Sequence, residues 1–194
     1  MDLLIFGPQG AGKGTQAARV SGEYGIPHVA TGDILRAAIG AGSELGLRVR
    51  AIVERGDLVP DALMIDLIRE RVGEPDAAGG FVLDGFPRTL AQAEALEELL
   101  RELRRGLDAV IVLEVSDEVA TERMLSRAAI EGRADDTPEV IANRLRTYHE
   151  QTAPLVEWYR AHDLVVPVDG TPPVEEVWSQ ISAALGRLEE AAAR

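Results

Sequence analysis

The chain of 194 residues contains no cysteine, only 4% aromatic residues and a single lysine among its 20 basic residues. Without cysteine it can form neither a disulfide nor a thiolate metal site. No apolar run approaches the roughly 20 residues that a membrane-spanning helix needs. The first apolar run, Leu3–Phe6, is short and has no basic segment before it, so it does not predict a signal peptide. We therefore expect a cytosolic protein.

The chain also lacks the basic balance of a general nucleic-acid binder, since its formal net charge is −13. Affinity for nucleic acids and for anionic membranes depends on cations that neutralise phosphates, so we expect neither partner. The composition, 46% hydrophobic and 27% charged, is typical of a soluble globular domain with its own core. We predict a single domain over residues 1–194 with insertions, and a monomer, because no long heptad repeat is present.

Short apolar runs alternate with amphipathic stretches along the whole chain. The predicted strands are Asp2–Phe6, a turn and strand over Gly25–Ala30, Gly79–Asp84, Asp108–Glu114 and Leu164–Val168. The predicted helices are a stretch ending near Tyr24, Thr31–Gly40, Ser43–Arg55, Pro60–Val72, Thr89–Arg105, Asp117–Ala128, Pro138–Arg160 with a bend near Pro154, and Pro173–Arg187. This alternation predicts an α/β fold with a parallel sheet and helices on both faces. Pro167 in the last run predicts an edge strand.

The segment between the first predicted strand and helix has the Walker A spacing, from Gly7 to Gly12 and Lys13. Glycines let backbone N–H groups turn toward phosphate oxygens, and a helix N-terminus adds partial positive charge. The only lysine of the chain, Lys13, supplies a compact cation for the β- and γ-phosphates. The motif departs from the general form because Gly14 follows Lys13 and the hydroxyl comes one residue later, at Thr15. We interpret this loop as a nucleotide phosphate-binding site.

The rest of the sequence narrows the class of nucleotide-binding protein. A GTPase needs a second lysine in an Asn-Lys-x-Asp segment, and the chain has none. Motor-type ATPases and other hydrolases usually end a strand with Asp-Glu, whereas here Asp84 is followed by Gly85 and, four residues on, by Arg88. Asp84 is a candidate for the Mg²⁺ shell, but no glutamate beside it activates water. We therefore expect phosphoryl transfer to an acceptor other than water.

Motifs spread over nearly the whole chain resemble the adenylate kinase family, in the family's order. They are Gly7–Thr15, Thr31–Asp33, Gly56–Pro60, Leu83–Arg88, Arg133–Asp136 and Val168–Thr171. The resemblance implies a P-loop three-layer α/β fold with a five-stranded parallel sheet. It implies a helical nucleoside-monophosphate-binding insert over residues 31–60 and a short lid over residues 126–136. The reaction it implies is MgATP + AMP ⇌ MgADP + ADP, which serves adenine nucleotide homeostasis.

The resemblance also assigns roles to residues of this chain. For ATP it implies Gly10, Ala11, Gly12, Lys13, Gly14, Thr15, Arg123, Arg127 and Gly170. For AMP it implies Thr31, Arg36, Asp57, Leu58, Val59, Gly85, Phe86, Pro87, Arg88, Gln92, Arg133 and Arg144, with Gln92 reading the adenine. The implied catalytic cations are Lys13, Arg88, Arg127, Arg133 and Arg144, and Asp84 would hold Mg²⁺ through water rather than directly.

The predicted lid is short, because only five residues separate Arg127 from Arg133. Long-lid members of the family insert a small β-rich module here, sometimes with zinc, and this chain has neither the length nor the cysteines, so we expect no zinc. A UMP/CMP kinase of the same fold and a regulatory nucleotide-binding module remain as alternatives. We interpret Asp33 as a helix cap, Arg105 as a solvated helix residue paired with glutamate, and His28 as structural. Asp136 is either a partner of lid arginines or part of a solvated turn.

Overall fold

The computed structural model describes residues 1–131 and 136–192. Five parallel strands form one sheet in the order β2-β3-β1-β4-β5. The strands are β1 (Asp2–Phe6), β2 (His28–Ala30), β3 (Phe81–Asp84), β4 (Ala109–Glu114) and β5 (Val165–Asp169). The helices are α1 (Lys13–Tyr24), α2 (Thr31–Gly40), α3 (Glu44–Arg55), α4 (Asp61–Val72), α5 (Leu90–Glu102), α6 (Asp117–Glu131), α7 (Pro138–Thr147), α8 (Ala153–Arg160) and α9 (Val174–Ala192). The predicted α/β fold with a parallel sheet is confirmed.

Both faces of the sheet are buried, as the near-continuous apolar strands predict. Alternate residues of β1 point to opposite sides, so Leu4 and Phe6 pack in one core while Leu3 and Ile5 pack in the other. Helices α4, α5 and α8 cover the first face, and α1 and α9 cover the second. The β5 strand lies at the edge, where Pro167 pairs only with Val112 of β4, so the edge position predicted from this proline is confirmed.

The register places the carboxyl ends of the central strands together. Ile5 of β1 lies beside Asp84 of β3 and Ile111 of β4. The loop after β1 therefore lies beside the loop after β3, at the edge of the sheet where parallel α/β folds bind ligands. This is why two motifs far apart in sequence, at Gly7 and at Gly85, face the same space.

Between β2 and β3 the chain forms α2, α3 and α4. Helices α2 and α3 pack very closely, because a Cβ on Gly46 would lie 2.1 Å from the backbone oxygen of Ala38. Ser43 caps α3 by accepting a hydrogen bond from the backbone N–H of Gly46 at 3.1 Å. The α3 end also approaches α7, since Gly56 lies against Val140 and Arg144.

Four predicted helices differ from the structure, one of them α9, which ends at Ala192 rather than at Arg187. The predicted helix over Pro138–Arg160 is divided into α7, a π-helical segment over Tyr148–Thr152, and α8. The predicted helix ending at Arg105 ends at Glu102 instead, because Arg104 has a φ of 57° and the chain turns there. Helix α6 extends to Glu131, past the expected end at Ala128.

The expectation that Arg105 lies on a solvated helix face is wrong. Its Nε donates to Asp2 Oδ2 at 2.8 Å and its Nη1 donates to the Ala77 oxygen at 2.9 Å. The guanidinium also stacks 5.0 Å from the Phe81 ring centroid. Arg105 therefore ties the start of β1 to the segment before β3, a tertiary role that helix periodicity does not reveal. None of the helices within the described residues is long and apolar enough to cross a membrane.

Candidate functional site

The loop between β1 and α1 turns its backbone around an open space. Gly7, Gly10 and Gly12 have positive φ values of 142°, 86° and 93°. Only glycine fits at position 10, because a Cβ there would lie 2.3 Å from the backbone oxygen of Ala120. Since Lys13 is the first residue of α1, the free N–H groups of that helix terminus face the same space.

The side chain of Lys13 folds back onto this loop. Its Nζ donates to the Gly7 oxygen at 2.8 Å and to the Pro8 oxygen at 2.9 Å. Burial lowers the pKa of Lys13 to about 8; the Asp84 carboxylate opposes that shift, and Arg88 and Arg127 add to it. The nearby negative charge in the free protein therefore does not fully stabilise the ammonium, and a polyanion that binds in the loop would stabilise it.

A cleft of about 790 Å³ opens over this loop, and we call it the phosphate-loop cleft. All the residues predicted for ATP border it. These are Gly10, Ala11, Gly12, Lys13, Gly14, Thr15, Arg123, Arg127 and Gly170. Arg123 joins α6 to the loop after β5, because its Nη1 donates to the Gly170 oxygen at 2.8 Å and its Nη2 donates to the Thr171 oxygen at 2.9 Å.

Asp84 also borders the phosphate-loop cleft, at the end of β3. Burial raises the pKa of this carboxyl, but the facing His28 ring and the positive charges of Lys13 and Arg88 outweigh burial and hold the pKa below its usual value. His28 Nε2 lies 3.6 Å from Asp84 Oδ2, which is longer than a hydrogen bond, and this buried nitrogen has no hydrogen-bond partner in the part of the chain that the structure describes. An ionised carboxylate beside a phosphate site fits Mg²⁺, which commonly binds through one or two carboxylates together with substrate phosphates. Within the described residues, no group of three or more acidic or histidine side chains forms a separate metal site.

A second, narrower pocket of about 90 Å³ lies between the loop after β3 and helices α2 to α4, and we call it the α2–α4 pocket. It brings together most of the residues predicted for AMP, from separate segments of the chain. Those that border it are Thr31, Asp57, Leu58, Val59, Gly85, Arg88, Gln92 and Arg144. Its walls are apolar at Leu35, Val53 and Met64, as expected for a pocket that takes a flat ring.

Arg88 is held where the two spaces meet. Its Nε donates to the Gly85 oxygen at 2.8 Å. Gly85 has a φ of 84°, and a Cβ there would lie 2.5 Å from Thr31 Oγ1 and 3.0 Å from Arg88 Nη2. Burial lowers the pKa of Arg88, with Asp84 acting against the shift. The charges of Arg144 and Arg36 lower it further, which means that three guanidinium groups lie within electrostatic range of one another.

Gln92 is buried, and both ends of its amide are engaged. Its Oε1 accepts from the backbone N–H of Arg88 at 2.8 Å, and its Nε2 donates to Asp61 Oδ1 at 2.7 Å. A primary amide has two N–H groups and two lone pairs, so one of each remains for a ligand. Asp61 therefore fixes which end of the amide faces which neighbour.

The two pockets are also linked through Asp136, whose carboxylate is fully buried. One carboxylate oxygen accepts from Arg127 Nε at 3.0 Å and from Arg127 Nη2 at 2.7 Å. The other accepts from Arg144 Nη1. Asp136 thus holds one arginine of each pocket, which decides between the two interpretations left open for it. Arg133, predicted beside them, lies outside the described residues.

The remaining predicted residues lie around the α2–α4 pocket without bordering it. Arg36 pairs with Asp33 on the same helix. Phe86 is buried in the core, and Pro87 borders a smaller cavity behind the phosphate loop. The interpretation of Asp33 as a helix cap is wrong, because α2 begins at Thr31 after Ala30 and no side chain caps it.

Gln9, Asp61 and His28 have positions in the site that the sequence analysis did not assign. Gln9 borders both pockets, and Asp61 and His28 contact residues of the site. Gln9 occupies a position of the phosphate-loop motif where any residue is allowed, so the motif does not predict a role for its side chain. Asp61 lies 31 residues from its partner Gln92, a separation that no local periodicity relates.

Comparison with known proteins agrees with this geometry. The family model for adenylate kinase matches residues 5–164. Adenylate kinase of Xanthomonas euvesicatoria is 47% identical over 187 residues, covering 96% of this chain and all of that protein. Adenylate kinase of Rhodococcus erythropolis is 49% identical with the same coverage, and that of Leptospira biflexa is 49% identical over 92% of this chain and 96% of its own. The chain belongs to the adenylate kinase family.

Proposed function

We propose that this protein catalyses reversible phosphoryl transfer from MgATP to AMP, giving MgADP and ADP. ATP binds in the phosphate-loop cleft and AMP binds in the α2–α4 pocket. The single observation that carries the proposal is the shared border of the two spaces, where Arg88 faces both. Membership of the adenylate kinase family, with relatives that match nearly the whole chain, supports the same reaction.

The proposed roles of the donor-side residues follow from charge. Backbone N–H groups of Gly10 to Thr15 surround the ATP phosphates, and Lys13 leaves its backbone partners to neutralise the β- and γ-phosphates. Arg123 and Gly170 border the outer part of the cleft, where the nucleoside of ATP would lie. Arg127, anchored by Asp136, adds a cation beside the transferring group.

The proposed acceptor side combines cations with a base-binding wall. Arg36, Arg88 and Arg144 neutralise the AMP phosphate, and Arg133 is proposed to join them. Thr31, Asp57, Leu58 and Val59 line the space for the nucleoside, with Gly85, Phe86 and Pro87 forming the turn that carries Arg88. Gln92, oriented by Asp61, reads adenine through its remaining N–H and lone pair.

The reaction needs no general base. The attacking AMP oxygen is already ionised near neutral pH, because the second pKa of a phosphate monoester is about 6. The bond from the γ-phosphorus to the ADP oxygen breaks while the bond to the AMP oxygen forms. The main obstacle is repulsion between two polyanions, which fixed guanidinium groups offset most strongly as charge shifts in the transition state.

Asp84 is the proposed site for Mg²⁺, which it would hold through water, with Thr15 bordering the same cleft. When bound with ATP, the ion would supply positive charge that neutralises the phosphates. Asp84 suits this role because its carboxyl remains ionised in the site.

Water competes with AMP as acceptor, so the proposal includes closure of the site. Residues 31–60 are proposed as the nucleoside-monophosphate-binding insert and residues 126–136 as a short lid, both closing when nucleotides bind. A monomer in the cytoplasm is proposed as the working form.

An acceptor panel tests the proposal. The protein is given MgATP with AMP, UMP, CMP or GMP in turn, and each nucleoside diphosphate is quantified. We expect ADP formation with AMP to exceed diphosphate formation with each other acceptor. A reaction without acceptor serves as control for hydrolysis. Faster transfer to UMP or CMP, or ATP consumption that does not depend on an acceptor, would overturn the assignment.

A further inference from the structure

The junction between the two pockets is bordered by very few side chains. Four residues of the described chain border both the phosphate-loop cleft and the α2–α4 pocket, namely Gln9, Gly32, Gly85 and Arg88. Two of these are glycines, so the side chains that face both spaces belong to Gln9 and Arg88. A group shared by the two pockets therefore borders the side chains of Gln9 and Arg88.

The amide of Gln9 is not satisfied within the free protein. Its Oε1 is buried and has no hydrogen-bond partner among the described residues. Native structures keep few buried polar atoms in this state, and each calls for an explanation. Gln9 also borders a small cavity of about 20 Å³, together with Lys13 and Arg88, so its surroundings are rich in N–H donors. The buried oxygen can only accept a hydrogen bond and does not itself bind phosphate. The amide N–H groups, which form no hydrogen bond within the described residues, are the part of Gln9 that can contact a phosphate oxygen.

A neutral donor suits this position better than another cation. Arg88 already disfavours the charged form of Lys13, and Arg144 and Arg36 disfavour the charged form of Arg88. A further cation at the junction would increase this repulsion in the free protein. An amide N–H can bind a phosphoryl oxygen without adding charge, and it undergoes no protonation change on the way.

On the basis of the proposed function, we propose that Gln9 is a catalytic residue that contacts the phosphoryl group in transit. Its amide N–H donates to a non-bridging oxygen of that group on the side opposite Arg88. The covalent step is unchanged: the bond to the ADP oxygen breaks, the bond to the AMP oxygen forms, and Gln9 neither gives nor takes a proton. The contact is strongest in the transition state, where the phosphoryl group lies between the pockets.

Two substitutions at Gln9 separate this role from packing. Gln9→Met keeps the length of the side chain and removes the amide, so we expect kcat to fall about 10- to 100-fold, as for loss of a preorganised donor. The KM values for ATP and AMP should change by less than about threefold, because ground-state binding relies on other residues. Gln9→Glu keeps the shape and adds a negative charge, and it should lower kcat further. Gln151→Met, at an exposed position, is the matched control and should retain the wild-type kcat.

Melting temperature and ATP affinity are measured for each variant alongside the kinetics. Unchanged kcat in Gln9→Met would overturn the proposal, and so would a fall in kcat accompanied by an equal loss of ATP affinity, since that pattern indicates packing. If Gln9→Met does not fold, Gln9→Asn keeps the amide but shortens its reach, and its kcat must fall instead.

The wild-type acceptor panel is run in parallel. Lack of transfer by the wild type would reject the proposed function itself, whereas normal wild-type transfer with unaffected Gln9 variants would reject this inference alone.

Discussion

The phosphate-loop cleft and the α2–α4 pocket differ in how they are built. The cleft, of about 790 Å³, has the backbone of one short loop and the helix terminus that follows it as its base, with α6 and the loop after β5 at its border. The pocket, of about 90 Å³, is bordered by residues from the phosphate loop, α2, α3 and the segment after it, α4, the loop after β3, α5 and α7. Under the proposed function, the phosphate-binding part of donor recognition is thus local, whereas acceptor recognition depends on the tertiary arrangement of several segments.

Because of this difference, we expect different residue types to be sensitive to substitution in the two spaces. In the cleft, we expect the backbone conformation to dominate binding, so glycines and the single lysine should be the sensitive positions. In the pocket and at the junction, we expect side-chain cations to dominate binding, so arginines should be the sensitive positions. The following predictions test that division, beginning with the largest expected effect.

Arg88→Met should lower kcat by about 10²- to 10³-fold, because it removes a preorganised cation from the path of the phosphoryl group. Stability should not fall, since burial already disfavours the charge of Arg88. Steady-state kinetics and thermal melting measure the two effects. Arg69→Met, which removes an exposed arginine paired with Glu102, is the control and should leave both values unchanged. Near-normal turnover in a folded Arg88→Met protein would contradict the assignment of the junction.

Gly10→Ala should abolish measurable ATP binding and destabilise the protein by about 2 kcal/mol or more, because the added Cβ would lie 2.3 Å from the Ala120 oxygen at a φ of 86°. AMP binding should be retained, since the α2–α4 pocket does not include this residue. Calorimetric titration with each nucleotide and chemical denaturation measure these effects.

Gly22→Ala is the matched control for that substitution. Gly22 lies within α1 and a Cβ there would meet nothing within 4 Å, so alanine should stabilise the protein by about 0.5–1 kcal/mol. If Gly10→Ala loses affinity for ATP and AMP equally, the two spaces do not bind nucleotides independently.

The pKa of Lys13 predicts a smaller effect that depends on pH. Since this pKa is about 8 in the free protein, the positive charge is lost as the pH rises through 8. Bound polyphosphate favours the charged form, so kcat/KM for ATP should fall up to about tenfold per pH unit above 8 while kcat falls only at higher pH. Rate measurements from pH 6 to 10 at limiting and saturating ATP test this.

Unfolding cannot account for that loss. Between pH 8 and the ordinary pKa of lysine, the unfolded chain binds more protons at Lys13 than the folded protein does. The contribution of Lys13 therefore makes the folded protein more stable as the pH rises in this range. A pH-independent kcat/KM up to pH 10 would contradict the role of Lys13 as the donor-side cation.

The same division explains what could be read from the sequence. The phosphate loop is a continuous motif between a strand and a helix, so the local sequence predicts it. Pro167 alone predicts that its strand lies at the edge of the sheet. The pocket was predictable only through resemblance to a family, since its residues come from distant segments. The interpretation of Asp33 is wrong because α2 begins two residues earlier, at Thr31. That of Arg105 is wrong because α5 ends at Glu102 and its partner Asp2 lies far away in the sequence. The positions of Gln9 and Asp61 in the site depend on tertiary packing, which the spacing of residues in the sequence does not predict.

The most direct test of the central claim, that the two pockets form one transfer site, is calorimetric titration with an analogue in which five phosphates join two adenosines. We expect one analogue per chain, bound at least about 100-fold more tightly than ATP because the second contact is intramolecular, and the saturated protein should bind neither ATP nor AMP. Two analogue molecules per chain, or undiminished AMP binding to the saturated protein, would contradict it.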